Sequence, residues 1–357
     1  MLESYHWRSK ERRSRNGPKS MPTGDVMYLK VFNREMIVLN SIEAAHDLLD
    51  KRSANYSSRP YFPILEMMGW GGTIVLMRYG KQYIKLRKTF QQYFYHRETL
   101  VRDFVPVQTR EARLLAKNLL TGTAPVDAVG RFGIANSMSM TYGSSLFSAE
   151  PDTYVHLGHE IEDAVNNGGP VGGTPVDFFP ILARFPSWFP GTYYGRRALM
   201  KRPIVRRIFD YPWEQFVAKR KTEKYNEPCF VTHLLHKAME GNPSNDQGLS
   251  TEEIEEIKGQ ASAAYTGGFD TVRTFNARLV YATIMVFLLS MVLHPEEQQK
   301  AQKEIDTVVG NTRLPQFEDR PSLPYVESVL QEVLRWGPAV PLGDVPRLSP
   351  ETSANEL

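Results

Sequence analysis

The stretch that decides the fold is Gly267-Gly268-Phe269-Asp270-Thr271, followed about sixty positions later by Glu332-Val333-Leu334-Arg335. From Thr251 to about residue 293 the sequence predicts one long helix, and the first motif lies in its middle. Each interior glycine costs a helix roughly 0.5–1 kcal/mol relative to alanine, and Asp and Thr prefer caps and turns. A threonine hydroxyl here would bond the carbonyl of Gly267 and bend the helix. The motif therefore indicates a functional kink; on the residues alone, a helix-packing glycine pair with a solvated Asp270 is the alternative.

Composition places the chain among ordinary globular proteins. It has 357 residues, of which 41% are hydrophobic and 23% charged, and a formal net charge of +3. This charge is too small to indicate a nucleic-acid partner. The single cysteine, Cys229, excludes a disulfide within the chain and a structural zinc site built from cysteines. One unpaired thiol favours a reducing compartment.

Two segments bear on membranes. Residues 1–24 are polar and basic, with no apolar core of a secretory signal, and we expect a disordered arm. The alternative is a juxtamembrane segment whose anchor is missing. The longest apolar run, Leu279 to Leu293, is shorter than the ~20 residues that span a bilayer, so we interpret it as a buried helix.

Periodicity predicts a mainly α-helical fold with a small β-region near the start. Residues 26–39 predict two strands with a turn at Asn33-Arg34. Ser41 is expected to open a helix, and Pro295 and Pro324 to begin two later ones. Residues 168–191 predict a breaker-rich loop, whose aromatic residues suggest that it lies on an apolar surface of protein or lipid. Further helices are predicted at 81–95, 98–119, 131–145, 152–165 and 196–224.

Two residue pairs are candidate site residues. Tyr83 and Arg87 lie one turn apart on a basic helix, which suits an arginine held toward a ligand carboxylate. A solvated basic face with a packed tyrosine is the alternative. Glu332 and Arg335 stand at i and i+3, away from the apolar stripe, so periodicity favours a surface ion pair. The groups His156, His159, Glu160 and His233, His236 lack a third metal ligand at a persuasive spacing.

The order of these motifs resembles the cytochrome P-450 family of haem-thiolate monooxygenases. The series Tyr83…Arg87, Gly-Gly-Phe-Asp-Thr, Met291-Val-Leu-His-Pro-Glu296, Glu332-x-x-Arg335 and Pro338-Ala-Val-Pro-Leu-Gly343 carries the resemblance. Two segments, KVFNREMIVLNSIEAAHDLLDKRSANYSSRP and DFFPILARFPSWFPG, look like the fungal, membrane-bound, secondary-metabolism branch. The resemblance covers about residues 24 to 347, which implies a basic arm (1–24), a partial P-450 domain (25–347) and a tail outside the family (348–357).

The resemblance implies roles for named residues. Gly267 and Gly268 would lie over the haem at the kink. Asp270 and Thr271 would supply protons during oxygen activation. Arg87, with Tyr83 in place of the usual tryptophan, and Arg347 would contact the haem propionates. Glu332 and Arg335 would be buried in a network with an arginine further downstream.

The sequence also departs from the family. The family's iron ligand is a cysteine in a Phe-x-x-Gly-x-Arg-x-Cys-x-Gly loop after the Glu-x-x-Arg helix, and Cys229 matches a loop before the central helix instead. The thiolate drives O–O cleavage in such enzymes. Between Thr271 and His294 the chain is about two helical turns longer than usual, with residues 272–280 as the odd segment, and the apolar anchor before the arm is missing. We therefore expect a truncated or mis-spliced product that lacks the iron ligand.

By resemblance, the function is insertion of one oxygen atom from dioxygen into an apolar natural-product substrate. A flavoprotein reductase would deliver electrons from NADPH to a haem cofactor, in a monomer at the endoplasmic reticulum membrane. Without an anchor, a cytoplasmic location is the alternative. Because the thiolate is absent, a non-catalytic remnant or binding protein is the second hypothesis.

Overall fold

The computed structural model describes residues 24–31, 34–168, 172–186, 188–222, 227–240, 248–269 and 280–338. The chain divides after Tyr56 into two compact units, which are treated separately below. Several predicted features lie outside the described residues. These are the arm before residue 24, Asp270 and Thr271 with the segment that follows to 279, Arg347, and the tail.

The first unit is built on an antiparallel hairpin. Strands β1 (Val26–Val31) and β2 (Arg34–Leu39) pair from Val26 with Leu39 to Val31 with Arg34, as the alternating β-branched and aromatic residues predict. Helix α1 (Ile42–Ala45) follows, and the hydroxyl of Ser41 caps it by accepting a hydrogen bond from the amide of Ala44 at 3.2 Å. A π-helical turn (His46–Lys51) and helix α2 (Ser53–Tyr56) complete the unit.

The second unit is helical, and its α-helices are numbered in chain order. They are α3 (Pro63–Met67), α4 (Lys81–Phe94), α5 (Arg97–Thr99), α6 (Val105–Leu120), α7 (Pro125–Tyr142), α8 (Ser144–Ala149), α9 (Pro151–Gly168), α10 (Pro175–Phe178), α11 (Tyr193–Thr222), α12 (Phe230–Glu240), α13 (Thr251–Phe269), α14 (Val280–Leu293), α15 (Pro295–Val308) and α16 (Pro324–Trp336). Shorter helical turns lie at Ile74–Leu76, Leu100–Phe104, Pro180–Arg184 and Phe317–Ser322.

Helix α7 lies at the centre of this unit. It packs against α6, α8, α9, α12, α13 and α14. Small residues such as Gly133, Ala135 and Ser137 are buried along it, which lets neighbouring helices approach from several sides. A helix apolar around most of its circumference belongs in a core, and burial of its side chains contributes roughly 25 cal/mol per Å² of apolar surface.

Helix α13 carries the glycine motif and begins as the sequence predicts. The hydroxyl of Ser250 accepts from the amide of Glu253 at 3.2 Å, and the Glu253 carboxylate accepts from the amide of Ser250 at 2.8 Å. This reciprocal pair is a capping box. Ion pairs then fasten α13 to α11, since Lys258 and Arg206 both contact Asp210 and Glu255 at 2.9–3.1 Å.

Three expectations about where helices occur and begin need correction. The segment 168–191 is not one loop, because Thr174 and Asp177 form a capping box that starts α10 at Pro175. Helix α7 begins at Pro125, six residues before the predicted start, since proline is favoured in the first turn. Helix α12 was not predicted at all. Most other boundaries agree within a few residues.

The expectation of one helix from 251 to 293 is matched at both ends, by α13 and α14, while residues 270–279 lie outside the described chain. No single helix in the described ranges is long and apolar enough to cross a membrane. By length and composition alone, α14 and α15 meet that requirement only as a pair, and they are bent by 107°.

Candidate functional site

The last turns of α13 lead to the glycine pair. Gly267 and Gly268 belong to the helix, which the structure describes as far as Phe269. Thr266 is buried, and its hydroxyl donates to the carbonyl of Ser262 at 2.7 Å. The hydroxyl of Ser262 donates to the carbonyl of Gly259 at 2.9 Å. Back-bonding of this kind bends helices. The bond predicted for Thr271 lies outside the described residues, whereas the bond at Thr266 could have been predicted from the Ser262-x-x-x-Thr266 spacing ahead of the glycines.

The Tyr83–Arg87 pair forms on α4. A guanidinium nitrogen of Arg87 donates to the phenol oxygen of Tyr83 at 2.8 Å, and the guanidinium carbon lies 5.9 Å from the ring centre. Tyr83 is buried, whereas Arg87 is exposed. A buried tyrosine thus holds one terminal nitrogen of an exposed arginine, and the other guanidinium donors suit a carboxylate.

Helix α4 is tied to α13 by charge. The ammonium of Lys85, two residues before Arg87 on α4, bonds the carboxylate of Glu256 at 3.2 Å. The two helices that carry predicted cofactor residues are therefore linked directly. Because Lys85 is largely exposed, the ion pair contributes little to stability and mainly orients α4 relative to α13.

The Glu332–Arg335 pair forms on α16. Two guanidinium nitrogens of Arg335 donate to the two carboxylate oxygens of Glu332 at 2.8 and 2.5 Å. The hydrogen bonds from Arg335 lower the pKa of Glu332. Both side chains are exposed, at 60% for Glu332 and 67% for Arg335, which is the surface ion pair that periodicity favours. The buried network implied by resemblance would need the downstream arginine. Among the described residues, this pair makes no hydrogen bond or ion pair with Tyr83 or Arg87.

The sole cysteine is a core residue. Cys229 is fully buried, and its sulfur lies 3.6 Å from the hydroxyl of Thr232. Burial raises the pKa of the Cys229 thiol to about 11, although hydrogen bonds from Thr232 oppose the shift. A protonated, enclosed thiol is inert as a nucleophile and as a metal ligand.

No group of three metal-ligating side chains occurs in the described ranges. His156 lies 3.5 Å from Glu160, and the Glu160 carboxylate is bonded by Arg207 at 3.0 Å. The glutamate is thus engaged by an arginine from α11.

The cluster formed by Glu227, Ser144 and Ser145 was not predicted from the sequence. Glu227 accepts hydrogen bonds from the amides and hydroxyls of Ser144 and Ser145, at 2.6 to 3.2 Å. Desolvation raises the pKa of Glu227, and these four bonds together outweigh it, so that the net shift is downward. The contact joins residues more than eighty positions apart, and no local pattern could have indicated it.

Comparison with known proteins agrees with the motif order. The family model described as Cytochrome P450 matches residues 19–351. "Cytochrome P450 monooxygenase 136" of Postia placenta is 35% identical over 322 residues, covering 90% of this chain and 58% of the relative. "Cytochrome P450 monooxygenase claR" of Ampulloclitocybe clavipes is 34% identical, with 90% and 56% covered. The chain therefore belongs to the cytochrome P450 family, and it spans less than two thirds of the length of these relatives.

A solved structure supports the same fold. A zebra fish cytochrome P450 with progesterone superimposes with a TM-score of 0.66 at 19% identity, over 88% of this chain and 67% of that one. At this identity the likeness concerns the fold alone. The fungal relatives are named monooxygenases, which are oxidoreductases, and the family implies a haem cofactor.

The residues present fit a haem only in part. Arg87, held by Tyr83 through one guanidinium nitrogen, has further donors that suit a propionate and make no hydrogen bond within the described part of the chain. The axial thiolate has no source in this sequence, because Cys229 is enclosed in the core with a raised thiol pKa. No catalytic step through a haem follows from these residues.

Proposed function

We propose that this chain is part of a haem-dependent monooxygenase that inserts one oxygen atom from dioxygen into an apolar natural-product substrate. The observation that carries the proposal is the family match across residues 19–351 together with the order of its motifs. Electrons would come from NADPH through a flavoprotein reductase, at the endoplasmic reticulum membrane, to a monomer.

Within this proposal the residues keep the roles that the resemblance implies. Arg87 and Arg347 would contact propionates, with Tyr83 orienting Arg87. Gly267 and Gly268 would allow close approach of a flat ligand to α13, and Asp270 and Thr271 would supply protons. The domain boundaries of 25 and 347 belong to the same proposal.

A second candidate function is supported by one observation. The only thiol of the sequence is buried in the core and protonated, so the 357-residue chain by itself would be a non-catalytic remnant or a binding protein. Oxygen activation of the family's kind needs a thiolate on the iron.

A carbon-monoxide difference spectrum separates the two functions. It would be recorded on the 357-residue chain after haem reconstitution, and on the longest product of the same gene. A red-shifted thiolate-type Soret band in the longer product alone is the expected result. The same band in the 357-residue chain would overturn the remnant interpretation, and its absence from both would overturn the monooxygenase proposal.

The propionate role of Arg87 has its own test in the longer product. Arg87→Ala should lower the haem content of the purified protein, because it removes the donors that Tyr83 orients. Lys88→Ala is the matched control, since it removes an exposed positive charge one residue away on the same helix. Equal haem content in the two variants would show that Arg87 does not hold the cofactor.

A further inference from the structure

Two consecutive methionines, Met67 and Met68, pack the C-terminal end of helix α3 against glycines of two other helices. A Cβ added to Gly195, in the first turn of α11, would stand 3.0 Å from the methyl carbon of Met67 and 3.7 Å from its sulfur. A Cβ added to Gly168, the last residue of α9, would stand 2.4 Å from the methyl carbon of Met68. The two thioethers therefore lie directly against the backbone of α11 and α9.

The N-terminal end of α3 is held differently, by a buried carboxylate. Asp177 of α10 is fully buried and accepts a hydrogen bond from the amide of Ile64 at 3.3 Å. The amides of Gly172 and Thr174 donate to its other oxygen at 3.0 and 3.3 Å. A helix of five residues has few backbone bonds of its own, so it depends on such contacts at both ends. A chemical change at the methionines would loosen only the C-terminal end.

The two methionines differ in their access to solvent. Met68 is only 1% exposed, whereas Met67 is partly exposed where it packs on the core. Oxidation of a thioether gives a polar, chiral sulfoxide, which disrupts apolar interfaces that contain methionine. Met67 combines the two properties that matter here, because a solvent-borne oxidant can reach it and its sulfur lies at a contact between helices.

We propose that Met67 is a reversible oxidation site, at which hydrogen peroxide detaches the C-terminal end of α3 from α11. The sulfur lone pair bonds to one peroxide oxygen and the O–O bond breaks. The departing oxygen takes the proton of the transferred one and leaves as water, so that sulfur is oxidised by two electrons and the peroxide is reduced. The polar sulfoxide no longer suits the apolar contact with Gly195 and Val176. Methionine sulfoxide reductases reverse the step.

This oxidation needs neither haem nor substrate, so it goes beyond the monooxygenase proposal and does not depend on it. The first measurement is treatment of the folded 357-residue chain with hydrogen peroxide, followed by peptide mass spectrometry. Fragment ions distinguish Met67 from Met68. Met67 should be oxidised at least about tenfold faster than Met68, because the oxidant reaches only the partly exposed thioether. In urea the two rates should become similar.

The second measurement is amide hydrogen exchange in the peptide that contains α3. Oxidation should raise its exchange rate by about tenfold, because the C-terminal end of the helix opens locally. Treatment with methionine sulfoxide reductases for both epimers should restore the original rate. Met67→Leu keeps a similar apolar volume without a sulfur. It should leave exchange in the untreated chain nearly unchanged and abolish the effect of peroxide.

Met200→Leu is the matched control. Met200 is 66% exposed on α11, so peroxide reaches it more readily than it reaches Met67. The substitution removes an oxidisable methionine by the same chemical change, and it should not protect α3 from the effect of peroxide.

Three outcomes would overturn the proposal. If Met67 in the folded chain is oxidised no faster than Met68, Met67 is not a preferred oxidation site. If exchange in α3 stays unchanged when Met67 is oxidised, or still rises in Met67→Leu, the sulfoxide does not detach the helix. If Met200→Leu protects α3 as well as Met67→Leu does, the effect does not originate at Met67.

Discussion

At the scale of single residues, Cys229 is the only thiol in the sequence that could serve as a thiolate ligand. The thiol is fully buried and its pKa is raised to about 11. At about pH 8 only some 0.1% of such a thiol is thiolate, and access is blocked as well. We expect Ellman's reagent to label the native chain at least about a hundredfold more slowly than the chain in urea. Fast labelling of the native state would contradict the core position of Cys229.

Glu227 provides a residue-scale prediction about pH. Because its pKa is lowered in the folded state, its contribution to stability is present above the ordinary glutamate pKa. That contribution is lost as the pH falls through the folded-state value. Glu227→Gln should cost about 1–3 kcal/mol near neutral pH, since one amide oxygen cannot accept all four bonds from Ser144 and Ser145.

The measurement is urea unfolding of both proteins at about pH 7 and about pH 3.5. The difference in unfolding free energy should shrink at the lower pH. Glu214→Gln is the control, because Glu214 is exposed and should change stability little at either pH. If the difference in unfolding free energy does not shrink at low pH, the serines do not stabilise the charged form of Glu227.

Sequence reasoning at this scale succeeded where partners are close in the chain. The bond between Arg87 and Tyr83 and the ion pair between Arg335 and Glu332 span four and three residues, and helical spacing places such side chains together. The Glu227 cluster and the contact between Met67 and Gly195 join distant segments. Their positions depend on tertiary packing, which a local pattern does not contain.

At the scale of elements, capping chemistry explains which boundaries were predicted. Ser41 and Ser250 begin helices where expected, because each side chain accepts from an amide three residues on. Helix α12 escaped notice although its residues Phe230, Val231, Leu234 and Leu235 form a buried stripe. The segment 168–191 was predicted as a single loop. This prediction was wrong because its prolines begin helical turns as well as interrupt them.

Helix α16 provides an element-scale prediction. In this chain Glu332→Ala should cost no more than about 1 kcal/mol, because the pair with Arg335 is exposed. Glu327→Ala is the control on the same helix, where an exposed Arg320 bonds a partly exposed Glu327 at 2.9 Å. In a full-length member of the family, where resemblance implies a buried network, the Glu332 change should cost roughly 3–5 kcal/mol.

Thermal or urea unfolding of the variants in the two proteins measures this contrast. Similar small losses from both substitutions in the chain, with a large loss only at the equivalent of Glu332 in the longer protein, are expected. A loss of several kcal/mol from Glu332→Ala in the 357-residue chain would place the pair in a buried environment instead.

At the scale of the whole molecule, the fold class was predictable and the distribution of exposed apolar surface was not. Motif order led to the family, and periodicity gave a helical chain with one hairpin. The apolar run at 279–293 was interpreted as a buried helix. In the structure only Ser290 and Met291 of α14 are buried, while Leu289, Val292 and Leu293 are exposed. An apolar composition predicts that a helix prefers burial, but its actual burial depends on which elements pack against it.

This exposed apolar face of α14 should promote self-association of the chain in solution. Leu289, Val292 and Leu293 stand at i, i+3 and i+4, on one side of the helix, and Val292 is 78% exposed. Clustered apolar surface of this kind promotes association. We expect the chain to self-associate at about 10 μM and to bind an apolar dye such as ANS. Val292→Lys should reduce both effects.

Leu120→Lys is the control for that prediction, because Leu120 is 88% exposed at the end of α6 and also gains one positive charge on substitution. If association follows from the α14 face, only Val292→Lys should lower the mass found by sedimentation. If both variants lower it equally, added charge alone explains the change. If neither does, association has another origin, since a lysine on this face would disrupt any contact that buries it.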